Sequence, residues 1–366
     1  MKKQNNSTGR VTRRQFIGTA AAGAAAFSMV PLHTRCTGTG QRSAKGLPNS
    51  RFGGVQVGAI TYSFREIRGV EETLQACIDA GVSSVELMST GIEQWAGAPE
   101  EVRVPRRRRG GPPGGGPPGE MPQGRPPGGR RFPGEPAEEM TEEELAELEA
   151  KAAESQAALR EWRLSAPMEK FEELGKMYND AGIDIHIVKF SPARWSDEET
   201  DYAFEVAKIM GAKGITDEIG EEACRRLGPI AEKHGMYAIF HNHMQFAEEG
   251  FSVDPFLEMS PANMLNFDAG HFFGSTGLHP NTIIEKYHDR IFSIHLKDKT
   301  GPNTVPPNEN QVWGQGEVPI ADILHLIQKE KWPIYCDIEL EYPVPAWSNP
   351  VKEVRTCVNY CRQILI

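Results

Sequence analysis

Short apolar or β-branched runs alternate with helical patterns along most of the chain, and this alternation limits the possible folds more than any other feature. Each run is bounded by Gly, Pro, Asp or Asn, as strands usually are. Eight such strands, each followed by a helix, predict a parallel sheet closed as an α/β (β/α)₈ TIM barrel. The predicted strands are Val55–Ile60, Ser84–Met88, Asp184–Phe190, Gly214–Thr216, Tyr237–His241, Met264–Asp268, Ile291–Leu296 and Ile334–Leu340.

The helical patterns between these strands repeat apolar residues at spacings of three and four, the spacing of one helix face. Several of them end at a glycine, such as Gly81 and Gly235, where a left-handed C-cap is favoured. An open doubly wound sheet is the alternative fold, but no G-x-G-x-x-G motif follows the first strand. The clearest predicted helices are Val70–Ala80, Pro167–Ala181, Asp197–Met210, Glu221–His234 and Ile320–Lys331.

The first 30 residues have the pattern of an export signal. Thr12-Arg13-Arg14-Gln15-Phe16-Ile17 precedes an uncharged, Ala-rich stretch that is too short to span a bilayer. The paired arginines before Phe and Ile resemble a twin-arginine signal, with an ordinary secretory signal as the alternative. We therefore expect residues 1–30 to be a twin-arginine-type signal, 31–52 a linker and 53–366 the barrel. The expected location is the periplasm or cell envelope, reached through the twin-arginine export machinery.

An insertion is expected after the second strand, over residues 97–165. Of the 25 residues Gly110–Gly134, 18 are Gly or Pro, a composition that cannot bury enough apolar surface to fold. We expect this part to be disordered. A Glu/Ala-rich helix is predicted after it, with Thr141 and Glu144 spaced as a capping box. Because loops that follow barrel strands lie on the catalytic face, the insertion is either a lid or partner arm, or a tolerated excursion with a solvated helix.

Charge and cysteine content exclude some classes of protein. The formal net charge of −10 argues against a nucleic-acid or anionic-membrane partner, which would require a basic face. The six cysteines form no CxxC pair and have no zinc-finger spacing. We expect buried thiols rather than a disulfide framework.

Residue types that bind metals follow four consecutive predicted strands. The segments are His241-Asn242-His243, Asp268-Ala269-Gly270-His271, His295-Leu296-Lys297-Asp298 and Glu339-Leu340-Glu341. The C-terminal ends of barrel strands carry the chemistry of TIM barrels, and side chains two apart on a strand share a face. A convergent His/Asp/His/Glu set suits Mn²⁺, Zn²⁺, Co²⁺ or Fe²⁺ better than Ca²⁺. The sequence therefore predicts one divalent transition metal, although any single one of these residues has a structural role as its alternative.

From Val55 to the C-terminus the chain resembles the sugar phosphate isomerase/epimerase family of xylose-isomerase-like TIM barrels. The resemblance implies that His241, Asp268, His295 and Glu339 hold the metal at the ends of strands five to eight. The motifs that carry it, in order, are Gly58–Phe64, Val85–Leu87, His241–His243, Asp268–His271, His295–Asp298, Gly314–Val318 and Ile338–Glu341.

One position departs from this family. Many of its epimerases have Glu where this chain has His241, and that Glu is both a ligand and one of two acid/base groups on opposite faces of the substrate. The replacement puts symmetric epimerisation in doubt. Glu218, at the end of the fourth strand, either supplies a carboxylate to the metal or to proton transfer, or caps the following helix.

The resemblance implies proton transfer next to a carbonyl of a sugar-like substrate, through an enediolate that the metal stabilises. Glu339, Glu218 and His271 are the candidate bases, and His243 and Lys297 are candidates to hold substrate oxygens. Tyr62 and Trp195, in predicted mouth loops, are candidates to stack on the sugar.

Isomerisation, epimerisation and β-elimination all share that enediolate. Phosphorylated sugars are mostly cytosolic, so export favours a non-phosphorylated sugar or keto-sugar. The main expectation is an isomerase or epimerase. A lyase acting on 3-keto-glycosides is one alternative and a non-catalytic sugar-binding barrel is another, and an oligomer is compatible with any of them.

Overall fold

Eight parallel strands close into a barrel in the computed structural model, which describes residues 46–102, 104 and 141–366. Each strand pairs with its neighbours in chain order, and the first strand pairs with both the second and the eighth. The predicted (β/α)₈ barrel is therefore confirmed. The strands, numbered here one to eight, are Val55–Ile60, Ser84–Met88, Asp184–Lys189, Gly214–Glu218, Tyr237–His241, Asn263–Asp268, Ile291–Leu296 and Tyr335–Ile338.

Helices follow the strands, and left-handed glycines end several of them as predicted. Gly81 and Gly235 have φ of 82° and 66° and cap the helices before them. The predicted signal at residues 1–30 and the Gly/Pro-rich segment Gly110–Gly134 lie outside the described residues. The α-helices are Val70–Ala80, Ser89–Trp95, Glu142–Arg163, Met168–Asp180, Asp197–Ile209, Glu221–His234, Asp254–Glu258, Ala269–Thr276, Asn281–Tyr287, Ile320–Glu330 and Pro350–Leu365.

The helix Glu142–Arg163 is exposed over its first half but docks at its end. Thr141 and Glu144 form the predicted capping box. At the other end, the Arg163 guanidinium lies 2.8 Å from Glu93 Oε1 and 3.2 Å from Glu199 Oε1. A largely buried Arg side chain with two carboxylate partners is a firm attachment, because removing it would leave the acids unpaired. The alternative of a wholly solvated helix therefore does not hold for this end.

Two further properties concern the part of the chain that the structure describes. None of its helices has the length and apolarity needed to cross a bilayer. The five cysteines within it are buried free thiols, as expected from their spacing.

A polar layer fills the barrel interior below the catalytic face. His186 Nε2 lies 2.8 Å from Asp337 Oδ2, and His186 Nδ1 lies 2.8 Å from Ser84 Oγ, with all three residues buried. The His186 ring also stacks on Tyr335 at 4.0 Å between centroids. Gly58 lies opposite Asp337 on the paired first strand, and a Cβ at this position would overlap Asp337 Oδ1. The packing of this layer thus requires glycine at position 58.

We predict that Gly58→Ala lowers the free energy of unfolding by about 1–3 kcal/mol, the usual cost of overpacking a well-filled core. Chemical denaturation measures the change. Gly91→Ala is the matched control, because its Cβ would meet only Val70 Cγ2 at 3.8 Å inside a helix, where alanine is favoured. Equal stability of the two variants would contradict the predicted overlap.

Candidate active site

Strands five to eight bring four candidate ligands together at the C-terminal end of the barrel. One nitrogen or oxygen atom from each of His241, Asp268, His295 and Glu339 lies within 4.8 Å of the others, and all four residues are buried. The strand register explains the convergence, because Asp268 lies opposite His295 on neighbouring parallel strands. Glu339 follows the eighth strand, where its backbone N–H donates to the Leu296 carbonyl. We refer to these four residues as the ligand cluster.

The donor atoms of the ligand cluster fit a divalent transition metal. His295 Nδ1 is buried without a hydrogen-bond partner among the described residues, and it lies 2.8 Å from Glu339 Oε2, which the Lys297 ammonium approaches at 2.7 Å. Buried polar atoms normally have partners. An imidazole nitrogen without a hydrogen-bond partner that faces carboxylate oxygens is suited to bind a cation together with them.

Glu86, on the second strand, supports His295 from inside the barrel. Its Oε2 lies 2.7 Å from His295 Nε2 and 2.9 Å from Asn266 Nδ2, while Thr216 donates to Oε1 at 2.9 Å. Burial opposes ionisation of Glu86, but His295 outweighs it and lowers the pKa to about 2. An outer carboxylate of this kind fixes the orientation of a ligand imidazole. The sequence analysis missed Glu86 as a site residue, although an acid inside a buried strand is a signal that it has partners.

Lys297 lies among three carboxylates at the barrel mouth. Its Nζ is 2.8 Å from Asp268 Oδ2, 2.7 Å from Glu339 Oε2 and 2.8 Å from Glu341 Oε2. Burial disfavours its charge, but Asp268 and the two glutamates raise the pKa of Lys297 well above its usual value. Lys297 is therefore an ammonium that partly offsets the acids of the site.

Glu218 does not cap a helix, so that interpretation is wrong. The fourth strand extends to Glu218, and the next helix has Gly220 at its N-cap with no side-chain hydrogen bond. Glu218 Oε2 instead lies 3.1 Å from His241 Nδ1 and 3.0 Å from His243 Nε2, while Oε1 accepts from Lys189 at 3.2 Å. Burial opposes its charge, but Lys189 and His241 lower the pKa of Glu218 well below its usual value.

The contact between Glu218 and His241 orients the imidazole. With Nδ1 on Glu218, His241 Nε2 points to Asp268 Oδ2 at 3.3 Å, toward the ligand cluster. Carboxylate–histidine–metal arrangements have this form. Glu218 thus acts on the ligand cluster through His241.

His271 lies beside the ligand cluster without taking part in it. Asp268 is the N-cap of the helix Ala269–Thr276 and accepts from the His271 backbone N–H at 2.7 Å, which fixes where the helix starts. His271 Nε2 is 3.8 Å from Asp268 Oδ2 and 3.7 Å from Glu341 Oε2, and neither ring nitrogen hydrogen bonds within the described chain. Burial lowers the pKa of His271 well below its usual value, and the charges of Lys297 and Lys299 add to this effect, whereas the charge of Asp268 acts to raise the pKa.

The two aromatic candidates differ in position. Tyr62 lies in the short helix after the first strand, where burial raises its pKa and Glu341 and Glu339 add to the effect, so it borders the site. Trp195 has the Arg163 guanidinium over its ring at 3.6 Å and Phe190 at its edge. Its ring contacts are thus with the end of the inserted helix and the third-strand loop. Stacking on a sugar stays a prediction for both.

Comparison with known proteins agrees with this architecture. Residues 185–363 match the family described as Xylose isomerase-like TIM barrel, and this matched region carries the ligand cluster. Among solved structures, the fold is similar to a xylose isomerase domain protein from Alicyclobacillus acidocaldarius, with a TM-score of 0.53, 11% identity, and coverage of 84% of this chain and 98% of that one. It is also similar to a probable 3-DHS dehydratase from Bacillus anthracis, with a TM-score of 0.51, 13% identity, and coverage of 83% and 98%. At these identities the similarity shows the fold alone.

Curated relatives are similar over a shorter region. The chain is 26% identical to the inosose dehydratase of Clostridium perfringens over 39% of this chain and 52% of that protein. It is 32% identical to the inosose dehydratase of Bacillus velezensis over 33% of this chain and 35% of that protein. The match thus spans about half the length of these relatives or less.

We predict about one divalent transition-metal ion per chain, lost when Asp268→Ala or His295→Ala removes a ligand. Elemental analysis of the purified proteins measures the content. His279→Ala, which changes an exposed histidine outside the site, is the control and should keep its metal. Full occupancy in both ligand variants would rule out the ligand cluster as the metal site.

For Glu218→Gln we predict a 10- to 100-fold loss of metal affinity, roughly the effect of removing a carboxylate that orients a ligand histidine. Competition with a chelator measures the affinity. Glu221→Gln, an exposed residue of the next helix, is the matched control. Unchanged affinity together with a large loss of activity would instead make Glu218 an acid or base.

Proposed function

We propose that this protein is a metal-dependent lyase that removes a proton next to the carbonyl of a polyhydroxylated keto substrate and eliminates an oxygen substituent from the adjacent carbon. One observation carries the proposal: His271 is a buried imidazole beside the ligand cluster with both ring nitrogens free of hydrogen bonds to the described residues. A base needs such a free nitrogen within reach of the proton that it removes.

The other two candidate bases are engaged. Glu339 lies 2.7 Å from Lys297 and contributes to the ligand cluster. Glu218 accepts from Lys189 and contacts two histidines. His271 is therefore the group that takes the proton from carbon in this proposal.

Other side chains would hold the substrate. A divalent ion in the ligand cluster would supply Lewis-acid stabilisation of the charge that develops on the carbonyl oxygen. Lys297 is placed to donate to a substrate oxygen near Asp268 and Glu339. His243 has its Nε2 on Glu218, and its buried Nδ1, which has no hydrogen-bond partner in the described chain, is free to accept from a substrate hydroxyl.

The position of His241 favours elimination over epimerisation. Epimerisation by two bases needs an acid on each face of the substrate, and His241 has one nitrogen toward Glu218 and the other toward Asp268. A single base can start an elimination, and the curated relatives named inosose dehydratase support this preference. We therefore prefer the lyase reaction to isomerisation and epimerisation.

Isomerisation is the second candidate, because a single base can return the proton to a neighbouring carbon. The burial of His271 favours it, since a proton held there would exchange only partly with solvent before its return to the substrate. The proposed export through the twin-arginine route rests on residues 1–30, and it is the reason for preferring a substrate without phosphate.

We predict that His271→Gln reduces deuterium incorporation from D₂O at the carbon next to the substrate carbonyl by about 10²–10⁴-fold, the usual effect of losing a general base. NMR of inososes and 3-keto-glycosides incubated with the enzyme measures exchange, and ultraviolet absorbance follows the unsaturated ketone. His279→Gln is the control, and the metal content of His271→Gln should be unchanged. Wild-type conversion to an isomer without unsaturated product would contradict the lyase and favour the second candidate, and conversion to an epimer alone would contradict both.

A further inference from the structure

Two lysine side chains run along one face of the helix that carries His271. Lys297 and Lys299 follow the seventh strand, and Gly270 and Gly274 lie one turn apart on the helix Ala269–Thr276. A Cβ at position 270 would overlap Lys297 Cγ, and a Cβ at position 274 would lie 3.0 Å from Lys299 Cε. The two glycines therefore leave room for both side chains beside the helix.

Asp298, between the two lysines, fixes their direction. Its carboxylate accepts backbone hydrogen bonds from Gly314, Gly316 and Val318 at 2.8–3.2 Å. Successive side chains of an extended segment point to opposite sides. Since Asp298 points to this loop, Lys299 points to the same side as Lys297.

Lys299 differs from Lys297 in having no carboxylate within 4.0 Å of its ammonium among the residues described, although it is only 3% exposed. Buried charges are normally paired. Burial and the neighbouring Lys297 lower the pKa of Lys299 to about 8, while Glu341, Asp268 and Glu339 act in the opposite direction. Lys299 is thus a buried amine near the acids of the site, and none of these acids contacts its ammonium directly.

Its surroundings offer space for part of a ligand. A cavity of about 340 Å³ is lined by Gly274, Asn308, Met244 and Pro302, among other residues. A Cβ at position 274, which would approach Lys299, would also overlap Asn308 Oδ1. This oxygen is buried and has no hydrogen-bond partner in the described chain. Asn308 lines the cavity, and the Lys299 side chain approaches Gly274, which also lines it. An unpaired acceptor and an unpaired ammonium close to one position are suited to bind an oxygen-bearing group together.

We propose that Lys299 donates a proton to the departing oxygen of the substrate and that the cavity beside Gly274 and Asn308 receives the leaving group, so that the substrate is an O-glycoside or ether of a keto-sugar. This inference rests on the proposed lyase function. His271 takes the proton from the carbon next to the carbonyl. The electron pair of that C–H bond forms the C=C bond as the C–O bond at the next carbon breaks. The Lys299 ammonium protonates the released oxygen and becomes an amine, giving an unsaturated ketone and an alcohol.

The test compares two leaving groups on the same keto-sugar. A methoxide must be protonated as it leaves, whereas a 4-nitrophenolate leaves without protonation. In Lys299→Met, we expect kcat/KM to fall by about 10²–10⁴-fold for the methyl glycoside and by less than about tenfold for the nitrophenyl glycoside. Exchange of the proton next to the carbonyl should persist, since His271 is intact. Lys331→Met, a change at an exposed lysine of the opposite barrel end, should leave both substrates unaffected.

Other results would overturn the role of Lys299. Equal losses with both leaving groups would mean that it only binds substrate or supports the fold, and no loss with either would exclude it. Gly274→Ala keeps the ammonium but displaces it and Asn308, so it should reproduce the leaving-group dependence if Lys299→Met does not fold. Failure of the wild-type enzyme both to exchange the proton next to the carbonyl and to form the unsaturated ketone from either substrate would instead overturn the proposed function itself, which separates the two failures.

Discussion

The contact between Glu86 and His295 inside the barrel is the interaction on which the geometry of the site depends. Glu86 also accepts from Thr216 and Asn266, so residues of four strands meet at one buried carboxylate. A carboxylate at this depth is stable only when it is paired and fully hydrogen bonded, and losing one partner of such a pair typically costs about 3–5 kcal/mol. Because His295 directs Nε2 to Glu86, its Nδ1 faces Asp268 and Glu339. The closure of the barrel therefore fixes the orientation of His295, and with it the ligand cluster, through Glu86 in the barrel interior.

The sequence pattern located the strands well because each barrel strand is buried on both sides and reads as a continuous apolar run. It failed where polar residues continue a strand. The fourth strand was expected to end at Thr216, but Asp217 and Glu218 keep pairing with the fifth strand, with Glu218 opposite His241. Because the fourth strand continues to Glu218, this residue pairs with His241 on the fifth strand and does not lie in the next helix. At the eighth strand the regular pairing ends at Ile338, yet Glu339 and Glu341 still reach Lys297.

Some residues of the candidate site could be predicted from the sequence and others could not, for a similar physical reason. The ligand cluster was predictable because each of its members lies at or next to the end of a strand, and strand ends are adjacent in any closed parallel barrel. The role of Glu86 could not be predicted, because its partners Thr216 and His295 are 130 and 209 residues away along the chain. Trp195 was expected at the mouth by its loop position, but its partner Arg163 belongs to the inserted helix. Contacts that depend on barrel closure or on an insertion leave no local pattern in the sequence.

His241 connects the metal site to the proposed chemistry. A neutral imidazole in place of a carboxylate ligand would donate less charge to a cation held by the ligand cluster, and such a cation would stabilise charge on a carbonyl oxygen more strongly. The carboxylate is not lost from this side of the barrel, but Glu218 lies behind His241 and is neutralised by Lys189. The carboxylate that contacts His241 is thus already paired, whereas His271, whose ring centroid lies 6.3 Å from that of His241, has both ring nitrogens free of hydrogen bonds to the described residues. With a cation in the ligand cluster and one free base, the site would be better suited to expel a group from the substrate, as proposed, than to invert a carbon, which requires acids on both faces.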